Sequence, residues 1–340
     1  MVKKTKESIE KRRQYVLFAL EKYPNYPTRT LARKLHEDDK NLFPTIEKAR
    51  SAIRYATGTK GKDHEKYARH PRAKKAAGQK LELPESEAKP LKPYHIKGKN
   101  RILVFSDLHI PYHNKPAIKI AIEEAKRQKV NVIVLLGDVL DCYQLSRWDR
   151  DPKNPNIAKE IEVCQRFLAY LRQEFPKAKI IWKEGNHEER WKHYFYQNAP
   201  EIAVLPGTSL YDYVNCETFK IDVVDERRPI NVSGLWLYHG QEFGKGSGGG
   251  VNQARGQWMK TYTSTIAGHG HRSSTNVETT AKGEVFISYS IGCLCDLNPN
   301  YASVNKWNHG FGILNQSTPN KYTFNNYIIL NGEIFGNSHE

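Results

Sequence analysis

The stretch "ILVFSDLH", residues 102–109, decides how the rest of the chain is interpreted. Its apolar run predicts a buried strand, and Asp107 and His109 follow that strand directly. A carboxylate and an imidazole at a strand end suit a metal ion, although a capping aspartate beside a structural histidine would have the same sequence. The residues that follow the other predicted strands decide between these two interpretations.

The same arrangement follows four further apolar runs. VIVLLG leads into Asp138 and Asp141, KIIWKEG into Asn186-His187-Glu188, LWLY into His239-Gly240, and TIA into Gly268-His269-Gly270-His271. Helices predicted near 116–128 and 157–174 separate the first three strands, which is the alternation of a largely parallel sheet. Because the carboxyl ends of such strands meet in one crevice, we expect the five groups of polar residues to converge.

The blocks DLH, GDVLD, GNHE, HG and GHGH, in this order, resemble the five signature blocks of the calcineurin-like metallophosphoesterase superfamily over about residues 101–310. The resemblance implies an α/β fold, a two-sheet α/β/β/α sandwich over residues 100–340, with two metal ions at the strand ends. It gives three residues to one ion, three to the other, and one carboxylate to both. In that order they are Asp107, His109 and His271; Asn186, His239 and His269; and Asp138.

The resemblance also implies two catalytic residues that bind no metal. His187 would protonate the leaving oxygen of the substrate, and Asp141 would orient the His187 ring. Two divalent ions would neutralise the phosphate charge and lower the pKa of a bridging water. Ligands of the carboxylate, imidazole and amide types favour Mn²⁺, with Fe, Zn²⁺ or Ni²⁺ as alternatives.

The cysteines are not expected to contribute to this site. The chain has five of them, without CxxC spacing, which indicates free thiols in a reducing compartment. Cys293 and Cys295 are predicted to be small buried residues on a strand, because no partners for a zinc site are apparent near them. The charged N-terminus has no apolar signal core, so we expect a cytoplasmic protein.

The basic residues are concentrated before the predicted catalytic domain. Residues 1–100 contain 26 Lys and Arg against 12 Asp and Glu, whereas the other 240 residues contain 27 against 25. Three helices predicted within residues 1–58 resemble a small all-α helix-turn-helix module, and the third of them carries Lys48, Arg50 and Arg54. Residues 59–99 are interpreted as a basic linker. We expect this region to bind nucleic acid, DNA in particular; a solvated basic segment without a partner is the alternative.

The substrate is the least constrained part of the prediction. Phosphoprotein phosphatases of the superfamily have an Arg directly after the position of Asp141, and Cys142 stands there instead. The extended blocks are similar to stand-alone metallophosphoesterases of bacterial viruses and mobile elements. We therefore expect a phosphodiesterase or nuclease, with a phosphomonoesterase and a non-catalytic nucleic-acid-binding protein as the alternatives.

Four basic residues near the signature blocks are candidates for phosphate binding. A guanidinium can bind a phosphate through two parallel hydrogen bonds, and an ammonium can do so as a point charge. For each of them an ordinary surface role is the competing interpretation. The four are Arg147, Arg190, Lys245 and Arg272.

Overall fold

The computed structural model describes residues 6–58, 83–147, 149–225, 227–244, 251–299, 302, 304–318 and 321–335. The chain divides into two units, Met1–Ala88 and Lys89–Glu340. Within the described residues, no helix is both long and apolar enough to cross a membrane.

The N-terminal unit consists of three helices, as the sequence predicts: α1 (Lys6–Lys22), α2 (Thr28–Asp38) and α3 (Ile46–Thr57). Their apolar sides meet around Leu31, Phe43 and Ile53, which are all fully buried. The Thr45 hydroxyl accepts a hydrogen bond from the Lys48 amide at 3.2 Å and so caps the start of α3. The unit therefore has a hydrophobic core of its own.

The larger unit contains two sheets. The seven-stranded sheet has the order β13-β12-β11-β2-β3-β4-β5, and its strands β2 to β5 are parallel to one another. These strands are β2 (Asn100–Phe105), β3 (Val132–Leu135), β4 (Lys179–Lys183), β5 (Ile221–Val224), β11 (His309–Thr318), β12 (Lys321–Leu330) and β13 (Glu333–Phe335). The six-stranded sheet has the order β1-β6-β7-β8-β10-β9. Its strands are β1 (Tyr94–His95), β6 (Ile230–Val232), β7 (Leu235–Tyr238), β8 (Thr265–Ala267), β9 (Ser274–Thr279) and β10 (Val285–Ser290).

Alternation along each central strand gives the larger unit two hydrophobic layers. In β2, Ile102 and Val104 pack with residues of the smaller sheet such as Leu237, whereas Leu103 and Phe105 pack with the helices on the opposite face. These helices are α4 (Lys115–Arg127), α5 (Ile157–Glu174), α6 (Asn186–Asn198) and α7 (Leu210–Tyr213), and α8 (Gln253–Thr261) packs against the smaller sheet. The predicted two-sheet α/β sandwich is confirmed.

One boundary differs from the sequence interpretation. Residues 94 and 95, which the sequence analysis places in the linker, form strand β1 and pair with β6 in parallel. Ile96 directly after them is buried in the layer between the sheets. The smaller sheet thus begins before Asn100, because the buried Ile96 and the partly buried Tyr94 pack into the layer between the sheets.

We predict that Leu103→Ala, in the centre of β2, lowers the free energy of unfolding of the larger unit by about 2–5 kcal/mol, because the truncation leaves a cavity in a fully buried site. All six tryptophans lie in this unit, so denaturation followed by tryptophan fluorescence reports on it alone. Leu330→Ala at the end of β12, where the side chain is 52% exposed, is the matched control. Equal destabilisation by both substitutions would contradict the layered core.

Candidate metal centre

The predicted ligands of the first ion converge at the ends of β2 and β8. The Nε2 atoms of His109 and His271 are 3.2 Å apart. The His271 Nε2 atom also lies 3.2 Å from Oδ1 of Asp107, and the His109 Nε2 atom lies 3.9 Å from the same oxygen. The structure therefore brings together the three residues that the family resemblance gives to one ion.

The predicted ligands of the second ion form an adjoining group. Nε2 of His239 lies 3.0 Å from Oδ2 of Asp138 and 3.2 Å from Oδ1 of Asn186, the first residue of α6. A ligand atom of His269 lies within 4.8 Å of those of Asp138 and His239. Asp138 Oδ2 is also 3.9 Å from Nε2 of His109, so this carboxylate stands between the two groups.

The donor set fits divalent cations. Asp107 and Asp138 are almost completely buried, and two buried carboxylates side by side require positive charge close to them. Metal–nitrogen and metal–oxygen bonds of about 2.0–2.2 Å place neighbouring ligands roughly 3 Å apart. The spacings of 3.0–3.2 Å between these nitrogens and oxygens have that size.

Hydrogen bonds orient the imidazole rings so that Nε2 faces the centre. Nδ1 of His239 donates to the Leu136 carbonyl at 2.7 Å, and Nδ1 of His109 donates to Oδ1 of Asp141 at 2.8 Å. A bond at Nδ1 fixes which nitrogen remains available to a metal and increases its basicity. Residues outside the ligand group thus determine which nitrogen of these histidines faces the centre.

The backbone at the ligands adopts an uncommon conformation. Five of the proposed ligands have positive φ angles, which residues other than glycine rarely adopt. They are Asp107 (55°), His109 (48°), Asp138 (52°), His269 (64°) and His271 (55°). Because neither histidine of the GHGH block is in an extended conformation, the two rings can turn toward different ligand groups.

Two glycines allow these loops to approach one another. Gly268 lies so close to Ser106 that a Cβ atom at position 268 would collide with the serine hydroxyl. A Cβ atom on Gly137 would collide with the ring of His239, and the backbone there has φ of +90°. Glycine is therefore required at both positions by the close packing of the ligand loops.

The charges of the centre are strongly coupled. Although burial lowers the pKa of His239, the carboxylates of Asp138 and Asp107 raise it to about 10. Burial raises the pKa of Asp138, but the surrounding histidines hold it well below its usual range. His269 differs: one side of it is exposed, but the burial of the rest of its ring and the charge of His239 lower its pKa to about 4. The two aspartates thus stay ionised, as metal ligands must.

His187 lies at the edge of the ligand groups. Its Nδ1 donates to the backbone carbonyl of Asp141 at 2.7 Å and lies 3.2 Å from the Asp141 carboxylate. Its Nε2 atom is 3.8 Å from Oδ2 of Asp138 and 3.0 Å from a guanidinium nitrogen of Arg190. Burial lowers the pKa of His187, yet Asp138 and Asp141 raise it above its usual value. Asp141 contacts His109 as well as His187, which the sequence analysis does not anticipate.

Glu188 and Glu160 are functional residues that the sequence analysis missed. The Glu188 carboxylate accepts hydrogen bonds of 2.7–3.1 Å from four backbone amides, those of Gly185, Asp138, Val139 and Leu140. Glu160, on α5, accepts from the amides of Cys142 and Tyr143. Burial and a nearby aspartate raise the pKa of Glu188 to about 7 and that of Glu160 to about 8. Glu188 thus holds the middle of the GDVLD loop, and Glu160 holds the two residues that follow this loop.

Cys295 is also closer to the centre than expected. Its sulfur lies 3.9 Å from Nδ1 of His271, on the side of the ring away from Asp107. The ligand atoms of Cys295, His109 and His271 lie within 4.8 Å of one another. The expectation that this cysteine has no partners of a metal-binding type is wrong, because the loop after β10 folds back onto the GHGH block.

The four predicted phosphate-binding residues are placed differently from one another. Arg190 donates to the Asp141 carbonyl at 2.9 Å and so reaches the centre. Arg272 donates to the carbonyl of Val251, and the Arg147 side chain is exposed. Lys245 lies outside the described residues. Arg190 contacts both members of the predicted catalytic pair, through the Asp141 carbonyl and the His187 ring.

The chain is similar to known proteins in sequence and in structure. The sequence profile of the calcineurin-like phosphoesterase family matches residues 100–286. The Gene 54 proteins of the Mycobacterium phages L5 and D29 are 29% and 26% identical to this chain over 228 residues, 63% of this chain and 88% of each phage protein. Among solved structures, vacuolar protein sorting 29 from Cryptosporidium parvum matches 69% of this chain and 94% of its own, with 15% identity and a TM-score of 0.38.

We predict that Glu188→Gln weakens Mn²⁺ binding by about 10- to 100-fold, because an amide can offer only one oxygen to four N–H donors and the Asp138 loop must rearrange. Isothermal titration calorimetry with Mn²⁺ measures the effect. Glu189→Gln is the matched control, since the Glu189 carboxylate pairs with Arg227 rather than with the loop. Unchanged Mn²⁺ affinity in correctly folded Glu188→Gln protein would show that the loop does not depend on this carboxylate.

Proposed function

The chain belongs to the calcineurin-like phosphoesterase family, and we propose that it is a two-metal hydrolase that cleaves phosphodiester bonds in nucleic acid. The observation that carries the proposal is the convergence of the seven ligands of both groups on one edge of the larger unit. All of them are side chains of the family's signature blocks: Asp107, His109, Asp138, Asn186, His239, His269 and His271.

Mn²⁺ is the proposed ion, because carboxylate, imidazole and amide ligands together suit it. When bound, two such ions supply positive charge to the phosphate oxygens and acidify the attacking water. Asp138 is the residue able to hold both ions, since it reaches His239 of one group and His109 of the other. His269 is exposed, which leaves this side of the centre open to a substrate.

His187 is the proposed general acid. Nδ1 of His187 donates to the Asp141 carbonyl, and Nε2 accepts a hydrogen bond from the Arg190 guanidinium, which can only donate. When Arg190 turns to a phosphate oxygen, Nε2 is free to carry the proton that passes to the leaving oxygen of the substrate. Burial lowers the pKa of His187, but Asp138 and Asp141 raise it above its usual value, which favours the protonated ring. Arg190, 3.0 Å from the same Nε2 atom, is positioned to bind a phosphate oxygen and orient the ester.

The proposal of a nucleic-acid substrate rests on the N-terminal unit. On α3, Lys48, Arg54 and Tyr55 are exposed, whereas Arg50 forms an ion pair with Glu47 at 3.2 Å. Exposed cations on one helix suit contact with a sugar-phosphate backbone. DNA is the favoured partner, and the helix-turn-helix interpretation of the unit remains a prediction.

We predict that His187→Ala keeps the metal content of the protein but slows cleavage of a dinucleotide by about 10²- to 10⁴-fold, because its alkoxide leaving group loses the proton donor, whereas hydrolysis of bis(4-nitrophenyl) phosphate slows far less, because nitrophenolate leaves without a proton. Asp138→Asn should instead lower the metal content itself. Elemental analysis of both variants, beside steady-state rates, separates the two roles. Loss of metal from His187→Ala to the same extent as from Asp138→Asn would contradict them.

We further predict that Lys48→Glu/Arg54→Glu weakens DNA binding by at least about tenfold at low salt and flattens its salt dependence, because fewer phosphates are neutralised. Fluorescence anisotropy with labelled single-stranded and duplex DNA measures this. Lys119→Glu/Lys177→Glu, which makes the same charge change at exposed positions of the larger unit, is the control. A higher rate on 4-nitrophenyl phosphate than on the diester, with no cleavage of DNA, would favour a phosphomonoesterase.

A further inference from the structure

A cavity of about 190 Å³ adjoins the metal centre, and no residue of the proposed ligand groups except His109 lines it. His109 and Asp141 form its inner wall, so its inner end lies beside the site of the scissile phosphate. Tyr112 and Tyr143 are the two aromatic side chains of its lining. A substituent of a phosphate bound at the metal centre can therefore extend into this cavity.

The charge of the cavity disfavours a second phosphate. Among the described residues that line it there is no lysine or arginine, whereas Asp141 and Asp296 both contribute carboxylates. A neutral group is thus a better occupant than an anionic one.

The lining provides both stacking surfaces and hydrogen-bonding groups. Tyr112 is 36% exposed, so one part of its ring is accessible from the cavity. The Tyr143 hydroxyl accepts a hydrogen bond from the Asp151 amide at 2.9 Å, which holds this ring in place. The side-chain amides of Asn154 and Asn298 add donors and acceptors at the rim, beside the Asp296 carboxylate.

We propose that this cavity binds a nucleobase, the base of a nucleotide whose phosphate occupies the metal centre. A base is planar and neutral, stacks on tyrosine rings, and carries ring and exocyclic N–H donors that a carboxylate and amide oxygens accept. A bare sugar has no aromatic face to place against Tyr112 and Tyr143. This inference rests on the proposed function, because it takes the phosphate at the metal centre to belong to a nucleotide.

Competition between two small phosphates tests the proposal. The rate at which full-length, Mn²⁺-loaded protein hydrolyses bis(4-nitrophenyl) phosphate is measured in the presence of adenosine 5′-monophosphate or ribose 5-phosphate. Of these two inhibitors, only the first carries a base. We expect adenosine 5′-monophosphate to inhibit with at least about tenfold higher affinity, since base stacking supplies the difference. Equal inhibition by the two compounds, or stronger inhibition by ribose 5-phosphate, would overturn the nucleobase site and leave the diesterase function standing.

Substitutions in the cavity test whether its tyrosines cause the difference in inhibition between the two phosphates. Tyr112→Ala and Tyr143→Ala should each reduce the ratio of the two inhibition constants to within about twofold to threefold, because each removes a stacking surface. Tyr170→Ala on α5 is the matched control, since Tyr170 is 37% exposed and lies outside the cavity. An unchanged ratio in both cavity variants would overturn the proposed site, as would an equal fall in the control.

Failure of the underlying function is recognised separately. If the protein hydrolyses no phosphodiester, the proposed function fails, and calorimetric titration with the same two phosphates still measures whether the base adds affinity. Tighter binding of adenosine 5′-monophosphate, lost in Tyr112→Ala, would then support the nucleobase site alone. Equal binding of both compounds would reject it.

Discussion

Two buried carboxylates, Asp107 and Asp138, are the constraint on which the larger unit is organised. Both come directly after central parallel strands, and both are surrounded by histidine nitrogens. Such a pair is unfavourable in a protein interior unless positive charge lies beside it. The convergence of five strand ends supplies the ligands that can hold that charge in the form of metal ions.

The backbone around these two carboxylates adopts an unfavourable conformation that other groups hold in place. Five of the proposed ligands have left-handed φ angles, a conformation that their loops keep because other groups hold it. Glu188 binds four amides of these loops, and Glu160 binds two more. Asp141 links the ligand group to the proposed acid, since its carboxylate contacts both the proposed ligand His109 and His187. Ligand position, ring orientation and loop conformation thus depend on one another.

Much of this organisation could be predicted from the sequence. Strands that are buried on both faces form continuous apolar runs, so the β2, β3 and β4 segments and the polar residues after them are visible in the chain itself. The edge strands are not. β9 (STNVET) alternates between half-buried and exposed residues and reads as a polar turn, and β1 is only two residues long.

The supporting residues could not be predicted in the same way. Glu160 lies in the first turn of an amphipathic helix, where a glutamate normally faces solvent, and its contact with Cys142 exists only in the folded chain. Cys295 reaches His271 because the loop after β10 returns to the centre, a contact that spacing does not encode. Glu188 offered one signal, its place directly after His187, but its bonds to the three distant amides of Asp138, Val139 and Leu140 have no sequence pattern.

The number and spacing of bound ions test the account most directly. Titration of the metal-free protein with Mn²⁺, followed by electron paramagnetic resonance, reports both the stoichiometry and the magnetic coupling of the ions. The account predicts two Mn²⁺ per chain with the spectrum of a coupled pair, because Asp138 reaches both ligand groups. A single uncoupled Mn²⁺ per chain at saturation, or none, would contradict it.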